Sequence, residues 1–332
     1  METWRAPVFA RRLYQDARTA YNGGMRTVFG GVEGGGTKFV LLIGTGPDDV
    51  VDETHVPTTT PVETLGRVVE FFARPRPDVR LAAVGVASFG PIDPDPASPT
   101  YGYVTTTPKP YWPHTDVAGL LRRQLGLPVG WDTDTNGAAL GEHRWGAGRG
   151  ADSLYYITVG TGIGGGGLVH GQLLHGLMHP EMGHLLTPSF DGDTFAGVCP
   201  YHGRCLEGVA SGPALRARLG RPAQEVSPDD LVWELEAQYL AFGLLSITQI
   251  LSPQRIVVGG GVAGVTGLLE RVRRQVARLN NGYIARLGLD DGVDSYIVPP
   301  GLGGRAGVMG ALELARLAYE EDVHHGDIGA RR

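Results

Sequence analysis

At 332 residues the chain is too long for one ordinary hydrophobic core, and length alone suggests two domains. An apolar fraction of 42% with 19% charged residues is that of a soluble globular protein, and no apolar run approaches the length needed to cross a bilayer. A net charge of −6 provides no basic field for gripping nucleic acid.

Residues 1–26 carry Arg5, Arg11, Arg12 and Arg18 without the apolar stretch of a signal peptide, and read as an N-terminal extension. With no leader and only two cysteines, a reducing cytoplasm is the expected compartment. A β pattern begins at 27–29, passes through a glycine-rich turn and resumes over 38–43. Residues 62–74 have helical spacing, with Leu65, Val68, Val69 and Phe72 on one apolar stripe. A buried strand over 81–88 runs into Phe89-Gly90-Pro91. Residues 93–114, rich in Pro and Thr, form a long ordered loop of the kind that tends to be functional. A strand over 129–132 then becomes a helix near Asp134.

A second cycle starts near Ala151, with a strand over 154–159, a turn at Gly160-Thr161-Gly162-Ile163-Gly164 and a second strand through Leu168 and Val169. Helices are expected over 228–251 and 268–286, and a strand over 255–258 runs into Gly259, Gly260 and Gly261. Two β-turn-β units of one design, a domain's length apart, suggest an internally duplicated fold.

The 52 glycines cluster at 30–36, 160–167 and 259–264. Clusters after strands point to tight turns where backbone comes close to a ligand. The N–H groups of such a turn form an anion site, to which Thr37 and Thr161 add hydroxyl donors. Paired turns could clamp the phosphates of one nucleotide from both sides; two plain hairpins are the alternative. No Gly-Lys-Ser/Thr closes the second turn as a Walker loop would, and the strand that follows argues against a dinucleotide fingerprint.

Asp132 and Asp134 sit where a strand becomes a helix. An Asp there can cap the helix, or serve as general base for a hydroxyl attacking a γ-phosphate. Asp134 is assigned as the base and Asp132 as structural. His184, Cys199, His202 and Cys205 have the spacing His-x14-Cys-x2-His-x2-Cys, two imidazoles and two thiolates suited to a closed tetrahedral Zn²⁺ site that organises a loop rather than performing chemistry. A Cys199–Cys205 disulfide is the alternative.

Gly31-Val32-Glu33-Gly34-Gly35-Gly36-Thr37-Lys38, the Asp134 segment, Glu181-Met182-Gly183-His184 and Cys199-Pro200-Tyr201-His202-Gly203-Arg204-Cys205-Leu206-Glu207-Gly208 together resemble the ROK family of sugar kinases and repressors, from about residue 28 to 318. Ser88-Phe89-Gly90-Pro91-Ile92-Asp93, Ser98-Pro99-Thr100-Tyr101-Gly102-Tyr103 and Thr107-Pro108-Lys109-Pro110 resemble its bacterial fructokinase branch. The resemblance implies a duplicated, actin-like (ribonuclease H-like) α/β ATPase fold with two lobes and a cleft between them. The small lobe would span 27–135, completed by a helix over 305–320, and the large lobe 136–304 with the zinc loop and a homodimer interface.

It further implies ATP with Mg²⁺ and transfer to the 6-hydroxyl of fructose, with Asp134 as base. Glu181, His184 and Glu207 would meet sugar hydroxyls, His184 also ligating zinc, and Gly90, Pro91 and Thr107 would join the substrate site. Gly35, Gly36, Thr37, Lys38, Thr161 and Gly162 would face the phosphates, and Gly259, Gly260 and Gly261 the adenosine. Glu33 stands where many members have Asp, and Thr133 where an Asn commonly precedes the catalytic Asp. The zinc spacing lacks the extra cysteine of the glucokinase type. A kinase for mannose, glucose or an N-acetylhexosamine is the alternative within enzymes. A sugar-responsive repressor would need an N-terminal helix-turn-helix longer than residues 1–26 supply, and a silent sugar sensor fits poorly with Asp134 and both phosphate turns present.

Overall fold

The computed structural model describes residues 25–329 apart from 191 and 289–291. The extension expected over 1–26 thus lies outside the described residues except for its last two. Two compact units emerge. The first comprises the chain up to Gly141, the short segment His175–His179 and the chain from Arg305 onward; the second comprises Glu142–Leu174 and Pro180–Gly304.

In the first unit the strands are β1 (Arg26–Gly34), β2 (Lys38–Gly46), β3 (Asp49–Pro57), β4 (Val79–Ser88), β5 (Tyr103–Val104), β6 (Thr115–Asp116) and β7 (Val129–Thr133). Five of them form a sheet of order β3-β2-β1-β4-β7, antiparallel across β3, β2 and β1 and parallel across β1, β4 and β7. The short pair β5 and β6 lies within and just after the expected long loop. Leu65, Val68, Val69 and Phe72 of the helix Pro61–Ala73 are buried in one cluster with Phe39, Leu41 and Trp112, as the apolar stripe predicts. Thr60 caps this helix and Pro61 opens it, where a missing N–H costs nothing.

The C-terminal helix Ala306–Gly329 lies against β1, β2, β4 and β7. Close approach explains two glycines that no turn requires. A Cβ on Gly85 would stand 1.9 Å from the Ala311 carbonyl oxygen, and one on Gly310 1.6 Å from that of Gly137. The glycine run at 30–36 also differs from expectation: β1 continues through Gly34, so only Gly35, Gly36 and Thr37 form the turn.

The second unit repeats this plan. Its strands β8 (Leu154–Val159), β9 (Ile163–Val169), β10 (Gln172–Leu173), β11 (Arg255–Gly259) and β12 (Ile297–Val298) have the order β10-β9-β8-β11-β12. Three are antiparallel and three parallel, as in the first sheet. The expected duplicated α/β fold is therefore present, read from two sheets of identical connectivity. Trp233, Tyr239, Leu240 and Leu244 of the helix Val232–Leu251 join Val272 and Val276 of the helix Leu268–Asn280 in its core.

Both helices are shorter than the spacing suggested. Residues 228–231 are a turn whose Asp230 carboxylate accepts from the Val232 N–H. The second helix stops where Asn281 turns left-handed (φ 46°), a conformation that ends helices. No helix among the described residues is long and apolar enough to cross a membrane.

Candidate active site

In the first unit the parallel strands end level: Gly34 pairs with Ser88, and Ser88 with Thr133. The turn Gly35–Thr37, the segment Phe89-Gly90-Pro91 and Asp134 therefore leave the same carboxyl edge of the sheet, the edge where open α/β sheets bind ligands. The turn is closed by the Gly35 N–H on the Lys38 carbonyl (3.0 Å) and buttressed by the Thr58 hydroxyl on the Gly35 carbonyl (2.7 Å). Gly36, Thr37 and Lys38 are exposed, and Lys109 donates its ammonium to the Gly36 carbonyl. Thr107, expected to meet substrate, is buried, and its hydroxyl accepts from the Lys109 N–H (3.3 Å). Gly90 and Pro91, joined by a cis peptide, are half-buried.

Asp134 is the first residue of the helix Asp134–Trp145. The cap is Thr133, whose hydroxyl accepts from the Asn136 N–H at 3.0 Å. Among the described residues the Asp134 carboxylate accepts from the neighbouring Thr135 N–H (2.8 Å), and the capping role falls to Thr133 instead. Burial pushes its carboxyl up to about 6, against the lowering pull of backbone N–H groups. Glu33, at the end of β1, is raised to about 7 by burial first and then by the nearby Asp134 charge. The Val308 N–H, at the start of the C-terminal helix, works in the opposite direction.

Asp132 is buried and wholly engaged: one oxygen accepts from the Thr133 N–H (2.7 Å) and the Asn136 amide (2.8 Å), the other meets His175 Nε2 (2.8 Å). Sequence reasoning missed His175. Its bond to Asp132 holds the imidazolium above its ordinary range. His179, four residues on, accepts the Ile92 N–H beside Pro91 (3.1 Å). The only sequence sign of either histidine is its place just before the Glu181 motif.

The second unit gathers its own set at the carboxyl ends of β8 and β11, where Gly259 pairs with Thr158. The turn Gly160-Thr161-Gly162 leads into β9, with Thr161 exposed. Gly260 has φ 97°, and a Cβ there would stand 2.4 Å from the Val159 carbonyl oxygen, so the two glycine turns lie side by side. Glu207 accepts from the Ile163 N–H at 2.9 Å, which clamps the helix Leu206–Ala210 to the first turn. Gly183, in the short helix Met182–His184, packs on Ile163, while Glu181 is exposed.

The ligand atoms of His184, Cys199, His202 and Cys205 all lie within 4.8 Å of one another. Sulfur to Nδ1 separations are 3.8 Å (Cys199 to His184), 3.7 Å (Cys199 to His202) and 3.5 Å (Cys205 to His184). Zinc bonds of ordinary length at a tetrahedral angle give about 3.6 Å for that edge. Both cysteines are buried and free, so the disulfide alternative does not hold. Burial first, then Cys199, pushes the Cys205 thiol up to about 11, a site that wants a cation before it ionises.

Glu33, Thr37, Gly90, Asp132 and Asp134 are thus brought together in one unit, and Thr161, Gly162, Glu181, Glu207, Gly259, Gly260 and Gly261 in the other, with the four metal-ligand candidates beside the latter. A family model described as the ROK family matches residues 29–318. The fructokinase of Zymomonas mobilis is 48% identical, over 88% of this chain and 98% of that protein. A ROK hexokinase structure from Thermus thermophilus superposes with a TM-score of 0.72 at 28% identity, covering 89% of this chain and 99% of that one. A ROK glucokinase from Streptomyces griseus, solved with glucose and AMPPNP, gives a TM-score of 0.68 at 26% identity, covering 87% of this chain and 99% of that one.

Proposed function

Because this chain belongs to the ROK family, we propose that it is an ATP-dependent fructokinase, transferring the γ-phosphoryl group of ATP to the 6-hydroxyl of D-fructose. The observation that carries the reading is the Asp134 carboxyl: uncapped, at the carboxyl edge of the first sheet, and tuned to about 6. That value leaves it ionised at neutral pH yet basic enough to take a proton. In the proposed step the fructose O6 attacks the γ-phosphorus as its proton passes to Asp134, and the bond to the departing ADP oxygen breaks. Little else is asked of the protein than positioning and charge.

The N–H groups of Gly35, Gly36 and Gly162, the hydroxyls of Thr37 and Thr161 and the Lys38 ammonium hold the phosphates in this reading, with Gly259, Gly260 and Gly261 against the adenosine. Glu181, His184 and Glu207 take sugar hydroxyls, alongside Gly90 and Pro91. Thr107 belongs to the same substrate site. Glu33 is the carboxylate this chain would offer Mg²⁺, which would supply charge neutralisation on the phosphates. His184, Cys199, His202 and Cys205 hold Zn²⁺, with all four positions filled by protein, so the ion orders the loop. Fructose is preferred over glucose because 48% identity is to a fructokinase, against 26% to a glucokinase. The thiol-bearing ligand set suits the cytoplasm, and a homodimer is the expected assembly, read by light scattering.

Asp134→Asn should lower kcat by roughly 10²–10⁴ with folding unchanged. Full turnover in that variant would end the assignment. A panel of kcat/KM values for fructose, mannose and glucose decides the sugar.

A further inference from the structure

The second unit has an open cavity of about 560 Å³ at the opposite end of its sheet from the glycine turns. It is lined by residues before β8 and at the start of β11, including Arg149, Gln254 and Arg255, and by Arg286, Leu287 and Tyr296. Four residue steps of β11 separate Arg255 from Gly259, about 13 Å of strand. Its volume lies within the range of small-molecule sites.

Three guanidinium groups border this one space, in a chain of net charge −6. No acidic side chain is among its described lining residues, and none of the three arginines forms an ion pair among the described residues. Arg149 and Arg286 are exposed and make no side-chain hydrogen bond there. Arg255 donates one terminal nitrogen to the Ala147 carbonyl, while its Nε is buried without a partner. A buried N–H on a cation left unbonded is costly, and a guanidinium presents its donors as a planar fork that an oxyanion completes. Several other arginines of this unit are paired with carboxylates, as Arg218 is with Asp193 and Arg271 with Glu234.

We propose that this cavity is a second ligand site, which binds a phosphate monoester through Arg149, Arg255 and Arg286. Three cations call for a dianion with several oxygens, which a carboxylate does not supply. Leu287, Ile284 and the Tyr296 ring offer an apolar wall for the carbon skeleton, and the Tyr296 hydroxyl is already engaged with Thr248 at 3.0 Å. The site is separate from the kinase chemistry and does not depend on it.

Equilibrium dialysis of the full chain with labelled hexose 6-phosphate, nucleoside 5′-monophosphate and inorganic phosphate tests this. Each arm is run with and without saturating fructose and a non-hydrolysable ATP analogue. The expected result is one equivalent of ligand retained under the blocked condition. That retained binding should weaken about tenfold or more in Arg149→Ala/Arg286→Ala and in Arg255→Met. The tightest arm identifies the source of the phosphate. The double variant changes only exposed side chains, so it decides the matter if Arg255→Met lowers the melting temperature. No retained equivalent, or equal retention in wild type and the double variant, overturns the proposal.

Discussion

Asp134 and Glu33 are two carboxyls within electrostatic reach, and their order of ionisation sets the pH behaviour of the enzyme. Asp134 loses its proton first, at about 6, while burial and then the Asp134 charge keep Glu33 protonated until about 7. A base must be ionised to accept a proton, so activity should fall tenfold per pH unit below about 6. Since Glu33 is still neutral while Asp134 titrates, Glu33→Gln should leave that acid limb in place. A limb displaced by a full unit in the kcat/KM profile of Glu33→Gln would reverse the order. Thr133 matters here for a plain reason: by capping the helix it spares the neighbouring carboxylate that duty.

Asp193 is a further tuned carboxyl, and it acts on structure. Burial alone would raise it, but two bonds from Arg218 (2.7 and 3.1 Å), the Tyr239 hydroxyl (2.6 Å) and the Phe195 N–H bring it down to about 2. Because the folded value lies below the ordinary 3.8, the stabilisation is present above that pH and is lost as pH falls toward about 2. Asp193→Ala should cost about 3 kcal/mol at neutral pH by urea unfolding, and the gap to wild type should narrow between those two values.

At the scale of elements, the loop carrying the four metal-ligand candidates is held by few regular hydrogen bonds. Leu206 donates to Leu185 (2.8 Å), Val198 to Gly208 (2.9 Å) and Gly203 to Cys199 (3.0 Å). A bound ion would join His184, Cys199, His202 and Cys205 where these bonds and the Asp193 and Arg204 contacts do not reach, and chelation should raise amide exchange there while β8 stays protected. Glu207 and Gly183 connect the loop to Ile163, so fructose binding should weaken more than nucleotide binding on chelation. Equal loss of both would point to unfolding of the whole unit.

Much of this was legible in the chain because the residue types are scarce: two cysteines and two histidines at ligand spacing admit few readings. Asp134 was readable from a strand running directly into a helix. His175 was not, since its partner Asn136 lies 39 positions away and only the folded excursion His175–His179 brings them together. Not every glycine marks a turn. At Gly85 and Gly310 the absent side chain makes room for a helix, a packing demand that leaves no periodic mark in sequence.

For the whole molecule, the two sheets have the same strand order but differ in how their units are assembled along the chain. The second unit is nearly continuous. The first is completed only by the helix Ala306–Gly329, the last described element, which covers β1, β2, β4 and β7. Gly85 meets that helix so closely that a side chain there would strike the backbone at Ala311 and Ala315. Until the helix arrives, buried Val308, Met309, Leu312 and Ala315 have nothing to pack on, and the sheet face they cover stays wet. Burying those side chains is worth several kcal/mol in total, comparable to the whole stability of an ordinary domain. A chain ending at Gly304 should therefore lose protease protection across the residues up to Gly141, while Leu154–Val159 and the helix Val232–Leu251 remain resistant. Supplying residues 305–329 as a separate peptide should restore protection. If the truncated chain resisted digestion throughout its first unit, the helix would be an accessory rather than the closing element of the fold.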